Sequence, residues 1–493
     1  MRQPDAPLVE TPLGVLSGVV ARPGVAAFLG IPYAAPPVGA LRWRAPQPAA
    51  PWAGVRDAAA FGPDGPQLPN PRLRAGRQDE DCLYLNVWAP QGAAPGSCPV
   101  VVWVHGGGFA GGSGSDARSD GARVAAHGVV VVSFNYRSGL LGFLAHPALS
   151  RESPQGTSGN WGLLDQMAAL RWVRAHIAAF GGDARRITAF GVSAGSASLS
   201  LMLASPLAGG LFEQAILQSP GAGRPLASLA QAEQAGRALG DDIEALRTLP
   251  AHELLQRTPL LAPKVRGLTT PRVLRPIRDG WLLPEDERPV FQSGRLHAMP
   301  LIVGSNADEG TQLTRPWPVD TLQAYEAQIE ANFAGAQEQA RALYPAATDA
   351  EARPAVAQMF ADTQFNYGTR LLARSMAARE PRTWRYLFTR RAPGAEDGPH
   401  HGEEVGYVFG NLDQVPGADD QDRRLSDAMM QAWIGFAREG DPNAGRPGAE
   451  WPRYDPAADN HLEFGDRVAA GARWRTAQLD FLERYHGGLP ARA

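Results

Sequence analysis

Runs of apolar residues alternate with longer stretches of helical periodicity through the first half of the chain. The runs are short and rich in Val, Ile and Phe, as in strands that are buried on both faces of a parallel sheet. They predict strands at 100–104, 129–134, 187–190 and 214–218. Helical patterns cover 163–180, with one apolar stripe, and 195–204, which is rich in small residues. This alternation predicts an α/β fold whose large, mostly parallel central sheet is flanked by helices.

A serine stands between two glycines where the strand at 187–190 meets the next helix, since residues 191–195 are Gly-Val-Ser-Ala-Gly. A sharp strand-to-helix turn strains its central residue and exposes that side chain, and only glycine fits on either side. Such strain is retained where the side chain performs chemistry. Ser193 is therefore the candidate nucleophile, which needs a base, a group that orients the base, and donors for a developing oxyanion.

Three glycines follow the apolar strand at 100–104, within the sequence His-Gly-Gly-Gly-Phe. Consecutive glycines after a buried strand contribute no packing, and a flexible linker is unusual between such a strand and a phenylalanine. The pattern favours a turn whose N–H groups approach a ligand closely. Gly107 and Gly108 are predicted to provide two donors of an oxyanion hole, and Ala194 a third.

The acid and then the base should follow the serine in the chain on this architecture. An apolar run at 299–304 predicts another strand, and Asp308 and Glu309 lie on the loop after it. Spacing alone does not choose between these two acids. Among the ten histidines, His400 and His401 follow a late strand-like segment on a polar loop, which favours this pair as the source of the base.

Further motifs follow one another along nearly the whole chain. They are Gly-Ile-Pro-Tyr-Ala at 30–34, Pro-Val-Gly-Ala-Leu-Arg-Trp at 37–43, Glu-Asp-Cys-Leu-Tyr-Leu-Asn at 80–86, Gly-Asn-Trp-Gly-Leu-Leu-Asp-Gln at 159–166 and Phe-Gly-Gly-Asp at 180–183. Through these motifs and their order along the chain, the protein resembles the type B carboxylesterases. This is the family of the bacterial para-nitrobenzyl esterases and the animal cholinesterases. The resemblance implies an α/β-hydrolase fold and a serine esterase.

The resemblance also implies which candidates act together. The family's acid is the Glu of an Asp-Glu-Gly string, which is Glu309 here, and its base is the His of a His-x-x-Glu string, which is His401. Glu404 matches a buried family glutamate that supports the site from behind the catalytic side chains. Ser219 matches a serine with a similar supporting role.

Departures from the family pattern bear on substrate and stability. Val192 stands where the family usually has a glutamate, which removes a negative charge beside the serine and leaves substrate preference open. Gly65 stands in place of the cysteine that pairs with Cys82 in secreted members, so that disulfide cannot form. The loop between these two positions holds no tryptophan, which disfavours choline esters. Arg42 and Glu80 match a structural salt bridge of the family.

Composition narrows the expected partners. The formal net charge of −3, from 47 basic and 50 acidic residues, favours neither nucleic acid nor an anionic membrane. Two cysteines without framework spacing, and no apolar signal core near the start, predict free thiols and a cytoplasmic location. No apolar run is long enough to span a bilayer. A small-molecule ester is the expected partner, with no cofactor and no metal, and the oligomeric state stays open.

The candidate residues extend from 107 to 401, so we predict one catalytic domain over 1–493, with helix-rich insertions near 224–297 and 315–380 that cover the site. Six aromatic residues of the insertions are candidates for the pocket wall, although core packing is favoured for each: Trp281, Trp317, Phe333, Phe360, Phe365 and Tyr367. The predicted function is ester hydrolysis through an acyl-enzyme. The alternatives are a catalytically silent, adhesion-like member, and an acyltransferase or thioesterase that uses the same acyl-enzyme.

Overall fold

A computed structural model describes residues 6–261, 268, 272–444 and 450–487. Fourteen strands lie within these ranges. They are β1 (Leu8–Thr11), β2 (Gly14–Ser17), β3 (Val19–Arg22), β4 (Val25–Pro32), β5 (Val55–Asp57), β6 (Tyr84–Pro90), β7 (Cys98–Val104), β8 (Val130–Phe134), β9 (Gly182–Val192), β10 (Gln214–Gln218), β11 (Leu301–Asn306), β12 (Thr383–Phe388), β13 (Asn460–Phe464) and β14 (Val468–Ala472).

Eleven of these strands form one central sheet, in the order β14-β13-β12-β11-β10-β9-β7-β8-β6-β4-β3. The seven strands from β13 to β8 in this order are parallel to one another. Antiparallel strands complete both sides, with β14 at one edge and β6, β4 and β3 at the other. A separate small sheet has the order β1-β2-β5. The large, mostly parallel sheet confirms the predicted fold class.

Seventeen α-helices lie in the described residues and connect or cover the strands. They are α1 (Ala122–Ala125), α2 (Gly139–Phe143), α3 (Pro147–Glu152), α4 (Trp161–His176), α5 (Ala194–Ala204), α6 (Leu229–Gly236), α7 (Ile243–Thr248), α8 (Ala251–Arg257), α9 (Glu287–Gln292), α10 (Thr311–Thr314), α11 (Leu322–Asn332), α12 (Gln337–Leu343), α13 (Asp349–Ala361), α14 (Tyr367–Ala377), α15 (Glu404–Val408), α16 (Asp420–Glu439) and α17 (Thr476–Gly487). A π-helical turn, Asp362–Asn366, joins α13 to α14.

Both faces of the central sheet are buried under helices. Successive residues of β7 point to opposite faces, so Val100 and Val102 join the apolar cluster that contains residues of α4 and α5. Val101 and Trp103 join the cluster on the other face, which contains residues of α16. Burial on two sides explains why β7 is an uninterrupted apolar run rather than an alternating one.

The core elements agree with the sequence patterns to within a few residues. The predicted helix at 163–180 is α4 followed by a 3-10 turn, Ile177–Phe180, and it ends at Gly181 with a left-handed φ of 88°. Helices α6 to α9 fall in the predicted insertion at 224–297, of which 262–267 and 269–271 lie outside the described residues. Helices α11 to α14 fall in the insertion near 315–380.

The parallel strands β7, β9, β10, β11 and β12 all end at the same edge of the sheet. Each of the sequence candidates lies on a segment that leaves one of these carboxyl ends, where binding sites form on open α/β sheets. The topology therefore gathers residues that are up to 297 positions apart in the chain, since the first candidate is residue 107 and the last 404.

Candidate active site

Ser193 lies in the turn between β9 and α5, with backbone angles of φ 56° and ψ −120°. Its flanking residues have no room for a side chain, because a Cβ on Gly195 would lie 2.0 Å from the carbonyl oxygen of Val104. A Cβ on Gly191 would likewise lie 2.9 Å from the backbone of Gly195. The N–H of Ser193 donates to the carbonyl oxygen of Gln218 at 2.9 Å, which fixes the strained turn against β10.

Glu309 and His401 are in direct contact, although their segments follow different strands. The Nδ1 atom of His401 lies 2.5 Å from Oε2 of Glu309, whose side chain is fully buried. Because a carboxylate only accepts, this contact places the imidazole proton on Nδ1 and leaves Nε2 as the acceptor. The adjacent acid has another partner, since Asp308 accepts from the N–H and the hydroxyl of Thr311. His400 pairs with Glu403 instead.

The other carboxylate oxygen of Glu309 is held by two donors. The Ser219 hydroxyl donates to Oε1 at 2.5 Å, and the backbone N–H of Asn306 donates to it at 2.7 Å. Ser219, to which the resemblance assigns a supporting role, therefore contacts the carboxylate of Glu309 directly. The contribution of Asn306 was not predicted, although a polar residue at the end of an apolar strand was a visible indication of it.

Glu404 lies behind this group without contacting His401 through a hydrogen bond. Its two oxygens accept from the side-chain amides of Gln218 at 2.8 Å and Asn306 at 2.6 Å. The Asn306 amide also donates to the carbonyl oxygen of His400 at 2.6 Å, so Glu404 stabilises the loop that carries the histidines. Burial and the nearby Glu309 raise the pKa of Glu404 to about 7.

Ser193 and His401 line the same cavity, whose volume is about 490 Å³. The Nε2 atom of His401 is buried and forms no hydrogen bond with any described residue, including Ser193. Such contacts are commonly loose without substrate and shorten when it binds. The ring of Phe365 stacks on the imidazole, with centroids 4.4 Å apart, and thereby limits the rotation of His401.

Phe365 reaches His401 from the π-helical turn between α13 and α14. A π turn inserts one extra residue into a helix and is frequently found at functional sites. Of the six candidate aromatic residues, Phe365, Phe360 and Trp317 line this cavity. The other three do not: Phe333 and Tyr367 pack in the core, and Trp281 lines a different cavity.

The three-glycine turn lies against the serine. A Cβ on Gly106 would come within 3.1 Å of the Ser193 Cβ, and one on Gly107, with φ 119°, within 2.1 Å of the Gly111 carbonyl oxygen. In the described part of the chain, the N–H groups of Gly107, Gly108 and Ala194 donate to no residue. All three residues line the cavity.

Five arginines also line the cavity, and sequence reasoning missed all of them. They are Arg72, Arg118, Arg224, Arg272 and Arg275. They come from four separate segments of the chain, and the chain has 47 basic residues, so no local pattern distinguished them. No group of three or more possible metal ligands exists among the described residues. None of the described helices is both long and apolar enough to cross a membrane.

A salt bridge and the two cysteines were also subjects of expectation. Arg42 and Glu80 form a buried salt bridge of 2.5 Å. Cys82 and Cys98 are both free and buried, as predicted. A Cβ built on Gly65 would lie 3.5 Å from the Cys82 sulfur, so Gly65 does occupy the place opposite this thiol.

Comparisons with known proteins agree on one family. Residues 5–482 match the carboxylesterase family. The chain is 46% identical to the fumonisin B1 esterase of Sphingopyxis macrogoltabida, over 95% of this chain and 88% of that protein. It is 35% identical to the para-nitrobenzyl esterase of Bacillus subtilis, over 91% and 92% of the two chains. It is 32% identical to the acetylcholinesterase of Bungarus fasciatus, over 92% and 82%.

A solved structure of a PNB esterase superposes with a TM-score of 0.84 at 34% identity, and the match covers 97% of this chain and 99% of the other. The family match, the identity to several esterases and this shared α/β-hydrolase architecture lead to the same conclusion. The chain belongs to the carboxylesterase family and is a carboxylic ester hydrolase.

Proposed function

We propose that Ser193, His401 and Glu309 form the catalytic triad of this ester hydrolase. The observation that carries the proposal is the hydrogen bonding of His401. Its Nδ1 atom contacts the buried carboxylate of Glu309, whereas its Nε2 atom has no hydrogen-bond partner among the described residues. His401 and Ser193 line the same cavity. Glu309 orients the imidazole and stabilises its protonated form. Ser219, Asn306 and the stacked Phe365 support this arrangement.

The reaction proceeds in two halves. The Ser193 oxygen attacks the ester carbonyl carbon while its proton passes to Nε2 of His401. The tetrahedral intermediate collapses as His401 returns that proton to the departing alcohol oxygen, which leaves an acyl-serine. Water then attacks the acyl group with His401 again as the base, and collapse releases a carboxylic acid and regenerates Ser193.

The negative charge of each tetrahedral intermediate needs donors that are already oriented. The amides of Gly107, Gly108 and Ala194 have this role in the proposal, because they line the cavity and have no other acceptor among the described residues. Loss of one such donor typically costs about 2.7–4 kcal/mol of transition-state stabilisation. Residues 1–493 act as a single catalytic domain in this proposal, since the roles extend from Gly107 to His401.

The substrate class is a small-molecule ester, as the names of the similar fumonisin B1 and para-nitrobenzyl esterases suggest. The cavity of about 490 Å³ fits a ligand of that size. A binding protein without catalytic activity would not require a serine with a strained backbone in the same cavity as a histidine that a carboxylate orients. Competing alcohols or thiols, added during turnover, would reveal an acyltransferase by the formation of a new ester or thioester.

The test is the substitution Ser193→Ala, assayed with 4-nitrophenyl butyrate. We expect kcat to fall by at least about 10³-fold, since removal of a triad member leaves only binding and the oxyanion hole. The matched control is Ser196→Ala, in helix α5, which begins directly after Ser193. The Ser196 hydroxyl is buried and has no hydrogen-bond partner among the described residues. A fluorophosphonate should label Ser193 in the native protein. Activity within tenfold of the native value in Ser193→Ala contradicts the proposal.

A further inference from the structure

The wall of the catalytic cavity is strongly cationic. Five arginines line it, whereas Asp116 is the single carboxylate among the described lining residues. An esterase for neutral substrates needs no such charge, because the charge that develops in the reaction is already met by backbone amides. The excess of positive charge therefore calls for another explanation.

Asp116 accounts for two of the five arginines. Its carboxylate lies 2.8 Å from Arg118 and 3.8 Å from Arg72. Arg118 also donates to the carbonyl oxygen of Gly402, next to His401. These two arginines thus have both a counter-charge and a structural role.

Arg224 and Arg275 have no such counter-charge. No carboxylate in the described part of the chain lies within 4 Å of a nitrogen of either side chain. Arg224 donates instead to neutral oxygens, of Gly221 at 2.8 Å and of the Gln364 amide at 2.5 Å. Neutral acceptors orient a guanidinium but do not neutralise it.

The carboxylate behind Arg224 is engaged elsewhere. Glu287 accepts from the Ser200 hydroxyl at 2.7 Å and from the Gly223 N–H at 2.5 Å. Burial raises the pKa of Glu287 to about 7, which further reduces its negative charge near neutral pH. Burial and the neighbouring Arg272 lower the pKa of Arg224 to about 10, so this guanidinium is still charged there.

Arg275 is close to the proposed oxyanion hole. Its guanidinium lies 5.3 Å from the ring centre of Phe109, which follows Gly108 directly and packs against Ala194. Val192, on the other side of the serine, is also part of the cavity wall. An apolar residue at this position leaves no negative charge beside Ser193 that would repel an anion.

We propose that the cavity selects esters that carry a carboxylate in addition to the ester group, and that Arg224 and Arg275 bind this carboxylate. The inference rests on the proposed function, because it places the anion in the cavity of Ser193. Guanidinium and carboxylate form paired, charge-assisted hydrogen bonds of defined geometry. A bound carboxylate also relieves the repulsion among cations that are enclosed together.

The test compares charged and neutral esters of the same shape, with the carboxylate on either side of the scissile bond. Monoethyl succinate against its neutral amide, ethyl succinamate, probes the acyl side, and 3-acetoxybenzoate against 3-acetoxybenzamide probes the alcohol side. We expect kcat/KM to favour the charged ester in at least one pair. We expect Arg275→Met to reduce that charged-to-neutral ratio by about 10- to 100-fold, the usual effect of one charge-assisted interaction.

Two further variants complete the design. Arg224→Met should lower the same ratio, and the matched control Arg171→Met, an exposed arginine of α4 outside the cavity, should leave it unchanged. Because the exposed mouth of the cavity is screened by salt, the preference for the charged ester should weaken as ionic strength rises. Equal kcat/KM values within both pairs, or ratios that neither cavity substitution alters, would overturn the inference.

A binding measurement separates this inference from the proposed function. Calorimetry on the Ser193→Ala protein should detect succinate but not uncharged succinamide, and Arg275→Met in that background should weaken succinate binding about 10- to 100-fold. A protein that hydrolyses phenyl acetate through Ser193 but does not bind succinate contradicts the inference alone. A protein that binds succinate but keeps its activity in Ser193→Ala contradicts the proposed triad.

Discussion

Replacing Glu309 by glutamine tests the proposed triad at its most constrained point. In the native protein Oε1 accepts from the Asn306 N–H at 2.7 Å and from Ser219, while Oε2 faces Nδ1 of His401 at 2.5 Å. A backbone N–H can only donate, so the single oxygen of the new amide belongs at Asn306. Its NH₂ group then faces Nδ1, and the imidazole proton must move to Nε2. In that tautomer His401 cannot take a proton from Ser193.

The size of the effect follows from these contacts. Turning the amide to restore the productive tautomer breaks the bond from Asn306 and leaves that buried N–H unsatisfied, at about 2–4 kcal/mol in total. At 1.36 kcal/mol per factor of ten, the productive orientation is populated about 30- to 1,000-fold less. A neutral amide also stabilises the imidazolium less than a carboxylate does, by about 1.5 kcal/mol, which adds roughly tenfold. We therefore expect kcat to fall by about 300- to 10⁴-fold.

The assay measures kcat and KM for 4-nitrophenyl butyrate, with circular dichroism to verify folding. The matched control is Asp308→Asn, which removes the neighbouring carboxylate but leaves the hydrogen bond between His401 and Glu309 intact. KM should change little in either variant, because neither side chain lines the cavity. The reasoning is refuted if Glu309→Gln keeps kcat within tenfold of the native value, or if Asp308→Asn loses as much.

The remaining predictions concern stability. In Gly65→Cys the new Cβ would lie 4.0 Å from that of Cys82, a separation suited to a disulfide. Closing this loop should raise the unfolding free energy by about 3 kcal/mol in the oxidised over the reduced variant, and native protein, which should show no such difference, is the control. Equal stability of the two forms would contradict this prediction. The pKa of Glu404 is raised to about 7, so its protonated form stabilises the fold at low pH and the effect disappears as pH rises through 7. Relative to Glu404→Gln in urea unfolding, the native protein should lose about 2–3 kcal/mol between pH 5 and pH 8, and a pH-independent difference would argue against it.

The central strands of the fold were predictable because they are buried on both faces of the sheet. Strand β7 is buried on both faces, so its sequence is a continuous apolar run, and its short length and β-branched residues favour a strand. The strands β1 to β5 were not predicted: β1, β2, β3 and β5 are short and partly exposed, and β2 and β4 also pair with distant segments. Local patterns do not carry such pairing, because the partner rather than the segment itself completes the hydrogen bonding.

The parts of the candidate site that could be predicted were those marked by sequence motifs and by their order along the chain. The glycines around Ser193 mark the turn, whereas the choice between Asp308 and Glu309 required the family resemblance. The cationic wall could not be predicted, because it arises where loops from separate segments meet in space. The contact of Phe365 with His401 was hidden for a different reason: it depends on a π turn, which shifts the helical register without any change in composition.

The left-handed backbone of Ser193, described above, has a consequence for the history of such proteins. A non-glycine residue in this conformation costs about 1–3 kcal/mol, which the surrounding hydrogen bonds must offset. Drift to glycine at this position would relax the chain, so thermodynamics opposes the serine and selection for turnover alone preserves it. An inactive descendant with the same fold is then accessible through the single substitution Ser193→Gly. Relief of the backbone strain should give that descendant a larger free energy of unfolding than its active parent.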